Sequence, residues 1–310
     1  MKHLFLPIIL VFCLQSQAQL PDYYVYLVKG NASITNAGKK PVLVKQKQLV
    51  FKNDMLSIGK GAELTLVDRN ANYYVIKTEG VNKVSGLIKK VFAKAADGLT
   101  AKYLKLLFHE LLDPNQDFDK LKKENIAGAW GGVSRGDECE NRIYPVNGLQ
   151  SSAASIIFRW HKTSRSSNYL LSIYDQDGIE LSGIKVKDTS LSVNVAEIGK
   201  GKTGKYFWRV TSEDGVCEDE IPIYFNQLTP ENEKIVTEQL IGNSAGSTLE
   251  EQLVQIEKLE KNAFIDAAAA RYSLLVKSNK DNKALLKSYV LFLIKYGFDE
   301  EARIMWNSLQ

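Results

Sequence analysis

Three short patterns in this chain set reactive residue types at spacings that chemistry uses. His109-Glu110-Leu111-Leu112-Asp113 follows the H-E-x-x-H spacing, which puts two imidazoles one helical turn apart on a zinc ion with the glutamate as general base. Asp113 stands where the second imidazole belongs, and His109 falls on one polar stripe with Lys102 and Lys105. A solvated helix-face histidine is expected there. Ser57-Ile58-Gly59-Lys60 and Ser182-Gly183-Ile184-Lys185 both read S-x-x-K, and Lys202-Thr203-Gly204 reads K-T-G. A serine nucleophile with a lysine base needs its serine at the opening of a helix, whereas Ser57 and Ser182 lie among strand residues and glycines, and no S-D-N intervenes. Gly201-Lys202-Thr203 has the ending of a phosphate loop, but Ala196 takes the place of its first glycine. His161 follows Trp160, so on a strand it points to the opposite face. No catalytic, cofactor-binding or metal-ligating residue is expected, and no enzyme.

The cysteines and the N-terminus concern location. Met1-Lys2-His3 is a basic start, Leu4 to Leu14 is apolar, and Ser16-Gln17-Ala18 offers small residues at the −3 and −1 positions of a cleavage site. That is the layout of a secretory signal peptide, expected to be cut after Ala18. Eleven apolar residues at 1.5 Å each do not cross about 30 Å of hydrocarbon, so no transmembrane span is expected in the mature chain. Cys13 suits lipidation poorly, because Phe12 stands where a bacterial lipoprotein signal has a small residue. Cleavage leaves Cys139 and Cys217 as a candidate disulfide. No C-x-x-C exists, which excludes a zinc ribbon and a thioredoxin-type redox site.

Charge singles out one region. Residues 19–95 carry 13 Lys/Arg against 5 Asp/Glu, while the whole chain of 310 residues is only +4. Lys39, Lys40, Lys45, Lys47, Lys52 and Lys60 cluster at turns and strand edges, where lysine discourages edge-to-edge pairing and can also meet an anionic partner. Tyr73 and Tyr74 could add stacking, but an exported chain is a poor nucleic-acid binder.

The elements that hold these residues begin with short strands over 24–28, 32–34, 49–51, 62–67 and 73–77, separated by Asn, Asp and Gly turns. Ala62, Leu64 and Leu66 alternate with Glu63 and Thr65, which predicts one buried face. Val28-Lys29-Gly30, Val50-Phe51-Lys52-Asn53-Asp54-Met55-Leu56 and Ser57-Ile58-Gly59-Lys60-Gly61-Ala62 resemble the successive motifs of FecR-type periplasmic β-domains. Asn53 replaces the glycine before the aspartate, and Asn70 replaces the glycine of a later D-G turn. The resemblance covers about a fifth of the chain and implies an envelope location and a sensing or interaction role, with no ligand named.

Further along, residues 100–112 make an amphipathic helix with Thr100 as N-cap and Leu104, Phe108 and Leu111 on its apolar face. Residues 113–150 read as a connector, with a loop at Ala127-Gly128-Ala129-Trp130-Gly131-Gly132. Ile156/Phe158/Trp160, Tyr169/Leu171/Ile173, Leu191/Val193/Val195 and Tyr206/Trp208/Val210 alternate, with turns at Asp175-Gln176-Asp177-Gly178 and Glu213-Asp214-Gly215. Such a run of strands predicts a β-sandwich, and it resembles fibronectin type III-like modules. Thr229-Pro230 then caps the first of five helices, near 230–241, 249–261, 263–277, 282–296 and 299–308. These resemble tetratricopeptide-type helical hairpins.

The expected architecture is multidomain α+β: a signal peptide over 1–18, a small all-β roll over 19–95, a helix and connector over 96–150, an Ig/fibronectin-like sandwich over 151–228, and an all-α domain over 229–310. The expected function is that of a periplasmic or envelope-associated scaffold or sensor that binds one or more envelope proteins. The alternative is binding of an anionic envelope polysaccharide by the basic N-terminal domain.

Overall fold

The computed structural model describes residues 20–36, 39–113, 117–129, 142–160, 168–212, 223–242 and 248–308. Residues 1–19, Cys139, Cys217, His161, residues 130–132 and the turn expected at 213–215 lie outside them. The class is α+β, and the chain divides into two compact units, residues 1–94 and 95–310.

The first unit runs through β1 (Tyr23–Lys29), β2 (Ala32–Thr35), β3 (Val42–Leu43), β4 (Leu49–Val50), β5 (Met55–Ile58), β6 (Glu63–Asp68), β7 (Asn72–Ile76) and β8 (Gly80–Lys83). Helix α1 (Val84–Ile88) and β9 (Ala93–Ala95) follow. One sheet is ordered β4-β1-β6-β7-β9 and the other β3-β2-β5-β8. Their facing side chains make the core, including Val25, Ile34, Leu56, Ile58, Leu64, Leu66 and Ile76, which Val84 and Leu87 of α1 join. The alternation at Ala62, Leu64 and Leu66 faces this core. The expectation of a single buried face fails for β6, because Thr65 and Val67 are buried as well, at the centre of a five-stranded sheet.

Two aspartates hold the turns. Asp54 is 4% exposed; its carboxylate accepts from the Phe51 amide at 2.8 Å and from Asn36 Nδ2 at 3.0 Å, and its carbonyl accepts from the Val84 amide at 2.9 Å. Asp68 accepts from the amides of Asn70 and Asn72 and from the Tyr74 hydroxyl, so one carboxylate closes the β6–β7 hairpin.

In the second unit α2 (Gly98–Leu112) and α3 (Phe118–Ala129) come first. The strands are β10 (Arg142–Tyr144), β11 (Leu149–Ser151), β12 (Ser155–Trp160), β13 (Tyr169–Tyr174), β14 (Glu180–Val186), β15 (Ser190–Asn194), β16 (Gly204–Ser212) and β17 (Ile223–Gln227), with α4 (Val195–Ile198) after β15. Helices α5 (Pro230–Ile241), α6 (Leu249–Lys261), α7 (Ile265–Ser278), α8 (Lys283–Lys295) and α9 (Asp299–Asn307) end the chain. The strands form a sandwich of the Ig/fibronectin kind, with sheets β10-β12-β15 and β11-β17-β16-β13-β14. Trp160 packs edge-on to Tyr169, and Trp208 to Phe158, between the sheets. The Tyr206 hydroxyl donates back to the Lys202 carbonyl at 2.9 Å, the bond of a tyrosine corner.

Three local expectations change. Thr100 is not an N-cap; it lies buried inside α2, which starts two residues earlier. The Glu257 carboxylate on α6 accepts the Leu99 amide at 2.9 Å in place of a local cap. Gly98 is at φ +55°, a backbone region that favours glycine, and a Cβ there would have to displace the Glu257 carboxylate, 2.0 Å away. Residues 118–129 are helical rather than connector. Val195 leaves the strand pattern and opens α4, whose first turn the Asn194 side chain caps.

The helices before and after the sandwich form one layer. Helix α2 packs on α8 and α6, and α3 packs on α8. Asn282 donates to the Tyr103 hydroxyl at 2.9 Å, Lys122 pairs with Asp299 at 2.7 Å, and Phe118 packs edge-on to Trp306. The sandwich joins this layer through a polar seam. Asp266 accepts from the Tyr144 hydroxyl at 2.7 Å and the Ser151 hydroxyl at 2.9 Å, and Glu233 accepts from the Ser152 amide at 2.6 Å. Arg159 donates to the Gly297 carbonyl and to Glu301, and its guanidinium lies 4.3 Å over the Phe298 ring. Gly297, at φ +73°, leaves room for Ile143, which a Cβ would approach to 2.7 Å.

Two outcomes are expected. Asp54→Ala strands the Phe51 amide and lowers stability by about 1–3 kcal/mol, read as a lower denaturant midpoint; an unchanged midpoint would show the carboxylate to be dispensable. Burial first, and the neighbouring carboxylates of Asp266 and Glu260 next, raise the ionisation of Tyr144 and Tyr296 above that of free tyrosine. An unfolded tyrosine ionises near pH 10, so above that pH the unfolded state sheds protons the native state keeps. Their contribution is complete below about pH 10 and declines above it by up to about 1.4 kcal/mol per pH unit for each tyrosine. Urea midpoints should be level from pH 8 to 9.5 and fall steeply by pH 11.

Candidate interaction surface

The reactive patterns of the sequence are engaged in structural work. Glu110 forms a buried ion pair with Lys287, whose ammonium also lies 5.6 Å from the Trp306 ring centre. Asp113 pairs with Lys120 at 3.3 Å. His109 is half-buried, and its Nδ1 is buried without a hydrogen-bond partner among the described residues. Ser57 lies mid-strand on β5 between Ser33 and Val81, and Ser182 pairs with Ile173 across β13–β14. Neither opens a helix. The Lys202 carbonyl is occupied by the tyrosine corner. Among the described residues no group of three His, Cys, Asp or Glu side chains is placed to hold a metal ion.

Lys39, Lys40, Lys45, Lys47, Lys52 and Lys60 are all exposed, and none of their ammonium groups enters an ion pair among the described residues. Lys39, Lys40, Lys45 and Lys47 flank β3, the edge strand of its sheet; Lys52 and Lys60 lie on turns either side of β5. Tyr73 and Tyr74 are half-buried rather than an open stacking platform. Tyr74 packs edge-on to Tyr23 and Tyr73 to Tyr26, both at 5.6 Å between ring centres. Burial and the bond to Asp68 push the Tyr74 hydroxyl up to about 12.

A second surface lies on the outer face of the five-stranded sandwich sheet. Tyr174 on β13 is directly opposite Phe207 on β16, which is directly opposite Tyr224 on β17. Three half-buried aromatic side chains thus form one row across three strands. Along β16 the same face carries Lys205 and Arg209 on either side of Phe207, both exposed. Lys205 Nζ is 4.4 Å from the Tyr224 ring centre, and the Arg209 guanidinium is 5.3 Å from that of Tyr174. Such contacts fix the long cationic side chains over the rings. The Tyr174 hydroxyl is buried with no hydrogen-bond partner among the described residues.

This cross of rings and cations is absent from the sequence reading, which followed the inward half of the alternation at Tyr206, Trp208 and Val210. The signal was present in the other half. Lys205, Phe207 and Arg209 share the parity that faces solvent, and an aromatic residue between two cations there is not a core residue. Elsewhere, α5 has no buried residue and exposes Ile235 and Val236, while Leu274 and Ile304 are exposed on α7 and α9.

No protein-family model matches the chain, and no curated protein matches it.

The Glu110–Lys287 pair yields a sharp expectation. Lys287→Met leaves a buried carboxylate unpaired and should cost about 3–5 kcal/mol, whereas Lys287→Met with Glu110→Leu should recover most of that loss. Chemical denaturation of the three proteins checks it, and equal midpoints for the single and double variants would remove the pair from the account.

Proposed function

We propose that this chain is a non-catalytic, exported protein of the cell envelope that binds other envelope proteins, with its FecR-like β-domain and its sandwich–helix unit as separate presentation modules. The observation that carries this reading is the cross at Tyr174, Phe207 and Tyr224 with Lys205 and Arg209. Tyrosine, phenylalanine and arginine are the residues enriched at the centres of protein interfaces. Export is supported by the basic–apolar–small pattern of residues 1–18. No helix among the described residues is long and apolar enough to cross a membrane. Two carboxylates of the H-E-x-x-D stretch are held in ion pairs, Glu110 with Lys287 and Asp113 with Lys120.

A second reading is favoured by the lysines of the first unit. Residues 23–53 contain six lysines and no Asp or Glu, a field suited to an anionic envelope polymer.

Removing residues 229–310 is a poor test of the scaffold, because it would strip the seam at Tyr144, Ser151 and Arg159 from the sandwich. Surface variants are cleaner. A crosslinked pull-down of the tagged chain from its own envelope extract should retain a stoichiometric protein at high salt. Phe207→Ser with Arg209→Glu should abolish that retention at an unchanged melting temperature, and Ile235→Glu on α5 should not. Loss with Ile235→Glu alone would move the docking face to the helices, and full retention by both variants would overturn the reading.

A further inference from the structure

The edge strand β3 presents two aliphatic side chains to solvent inside the most cationic stretch of the chain. Val42 is 51% and Leu43 70% exposed, in the sequence Lys39-Lys40-Pro41-Val42-Leu43-Val44-Lys45-Gln46-Lys47. Guarding a sheet edge accounts for the lysines and for Pro41, which lacks an amide to donate. It does not account for exposed aliphatics on the guarded strand, which raise the risk that guarding reduces.

The segment is held rigidly. Val44 is buried and its amide donates to the Ala32 carbonyl at 2.9 Å, so the strand is anchored directly beside Val42 and Leu43. The following turn is closed by the Lys45 amide on Gln48 Oε1 at 2.9 Å and by Gln46 Nε2 on the Tyr26 carbonyl at 2.7 Å. Lys47 is kept at φ +66°, a backbone region that disfavours side chains, with its amide donating to the Val25 carbonyl at 2.7 Å. Val42, Leu43 and residues 45–48 line an open hollow of about 400 Å³.

We infer that this edge docks on an anionic lipid surface, with Leu43 and Val42 entering the interfacial layer and Lys39, Lys40, Lys45 and Lys47 meeting the headgroup phosphates. A soluble polyanion offers charge and nothing for the aliphatics, and an acidic protein face would need an apolar pocket of matching shape. A bilayer surface supplies both features at once, since peripheral binding combines buried apolar area with attraction to anionic headgroups. The inference rests on the cationic-surface reading of the first unit and is independent of the scaffold reading.

Cosedimentation of the chain from Gln19 onward with phosphatidylcholine vesicles, with and without phosphatidylglycerol, tests it, with dextran sulfate as the soluble polyanion. The chain should bind the anionic vesicles and leave the neutral ones. Lys45→Gln with Lys47→Gly removes two charges, about fivefold in affinity each, for a loss of about twenty-fivefold. The glycine also suits the backbone at 47, so this variant should fold. Leu43→Ser should weaken vesicle binding about tenfold and leave dextran sulfate binding unchanged, which separates lipid from polymer. Equal vesicle binding by Leu43→Ser and the parent chain would overturn the lipid assignment while leaving the polyanion reading intact. Failure to bind either vesicles or dextran sulfate would overturn both.

Discussion

Helix α8 is buried on every side, and the second unit is arranged around that fact. Seven consecutive residues, 284–290, are buried, among them Lys287 and Ser288. A helix apolar all round has to be enclosed, and its immediate neighbours α7 and α9 cover only part of it. The remainder is covered by α2 and α3, from the other side of the sandwich in sequence. Enclosure also forces a solution for Lys287, whose charge cannot be left in an apolar interior. Glu110 supplies the counter-charge from α2, so the pair is one fixed point of contact between the two helices.

The sandwich follows from this closure. Its chain enters from α3 and leaves into α5, so both ends of the β-region are fixed to one helical layer. The polar seam then fastens individual strands: Tyr144 and Ser151 to α7 through Asp266, and Arg159 to the turn and helix that follow α8. Tyr144 and Ser151 are buried donors with named partners, and such groups are costly to separate. The outer sheet face with Tyr174, Phe207 and Tyr224 is therefore held in a fixed attitude to the helices.

Much of this was legible in the sequence because its periods are strong. The inward residues of β12, β13 and β16 alternate cleanly, and the five C-terminal helices fall within a few residues of their expected bounds, helped by Thr229-Pro230. What escaped has physical causes. Strands β3, β5, β8 and β9 span two to four residues each, too few to display a period. The start of α2 depends on Glu257, 158 residues away, and the fate of Glu110 on Lys287, 177 residues away. No local window contains such partners. The ring-and-cation row lies in the outward half of the strand alternation, where no burial pattern marks it. Asp54 is a local case: its carboxylate accepts the Phe51 amide three residues back, with Asn53 before it.

The division of the helical layer in sequence also bears on how the chain is made. Helices α2 and α3 leave the ribosome with their apolar faces complete, but the helix they must cover begins at Lys283, more than 150 residues later. Until α6 and then α8 are made, Leu104, Leu107, Phe108 and Leu121 lack these helical partners, although the sandwich strands have most of their own. Contacts so distant along the chain close slowly, and apolar surface waiting for them invites aggregation. Completion of this unit is thus a late event, set by the arrival of the last thirty or so residues. Until then the unit is without its central helix, and the α2 and α3 faces stay open to other chains.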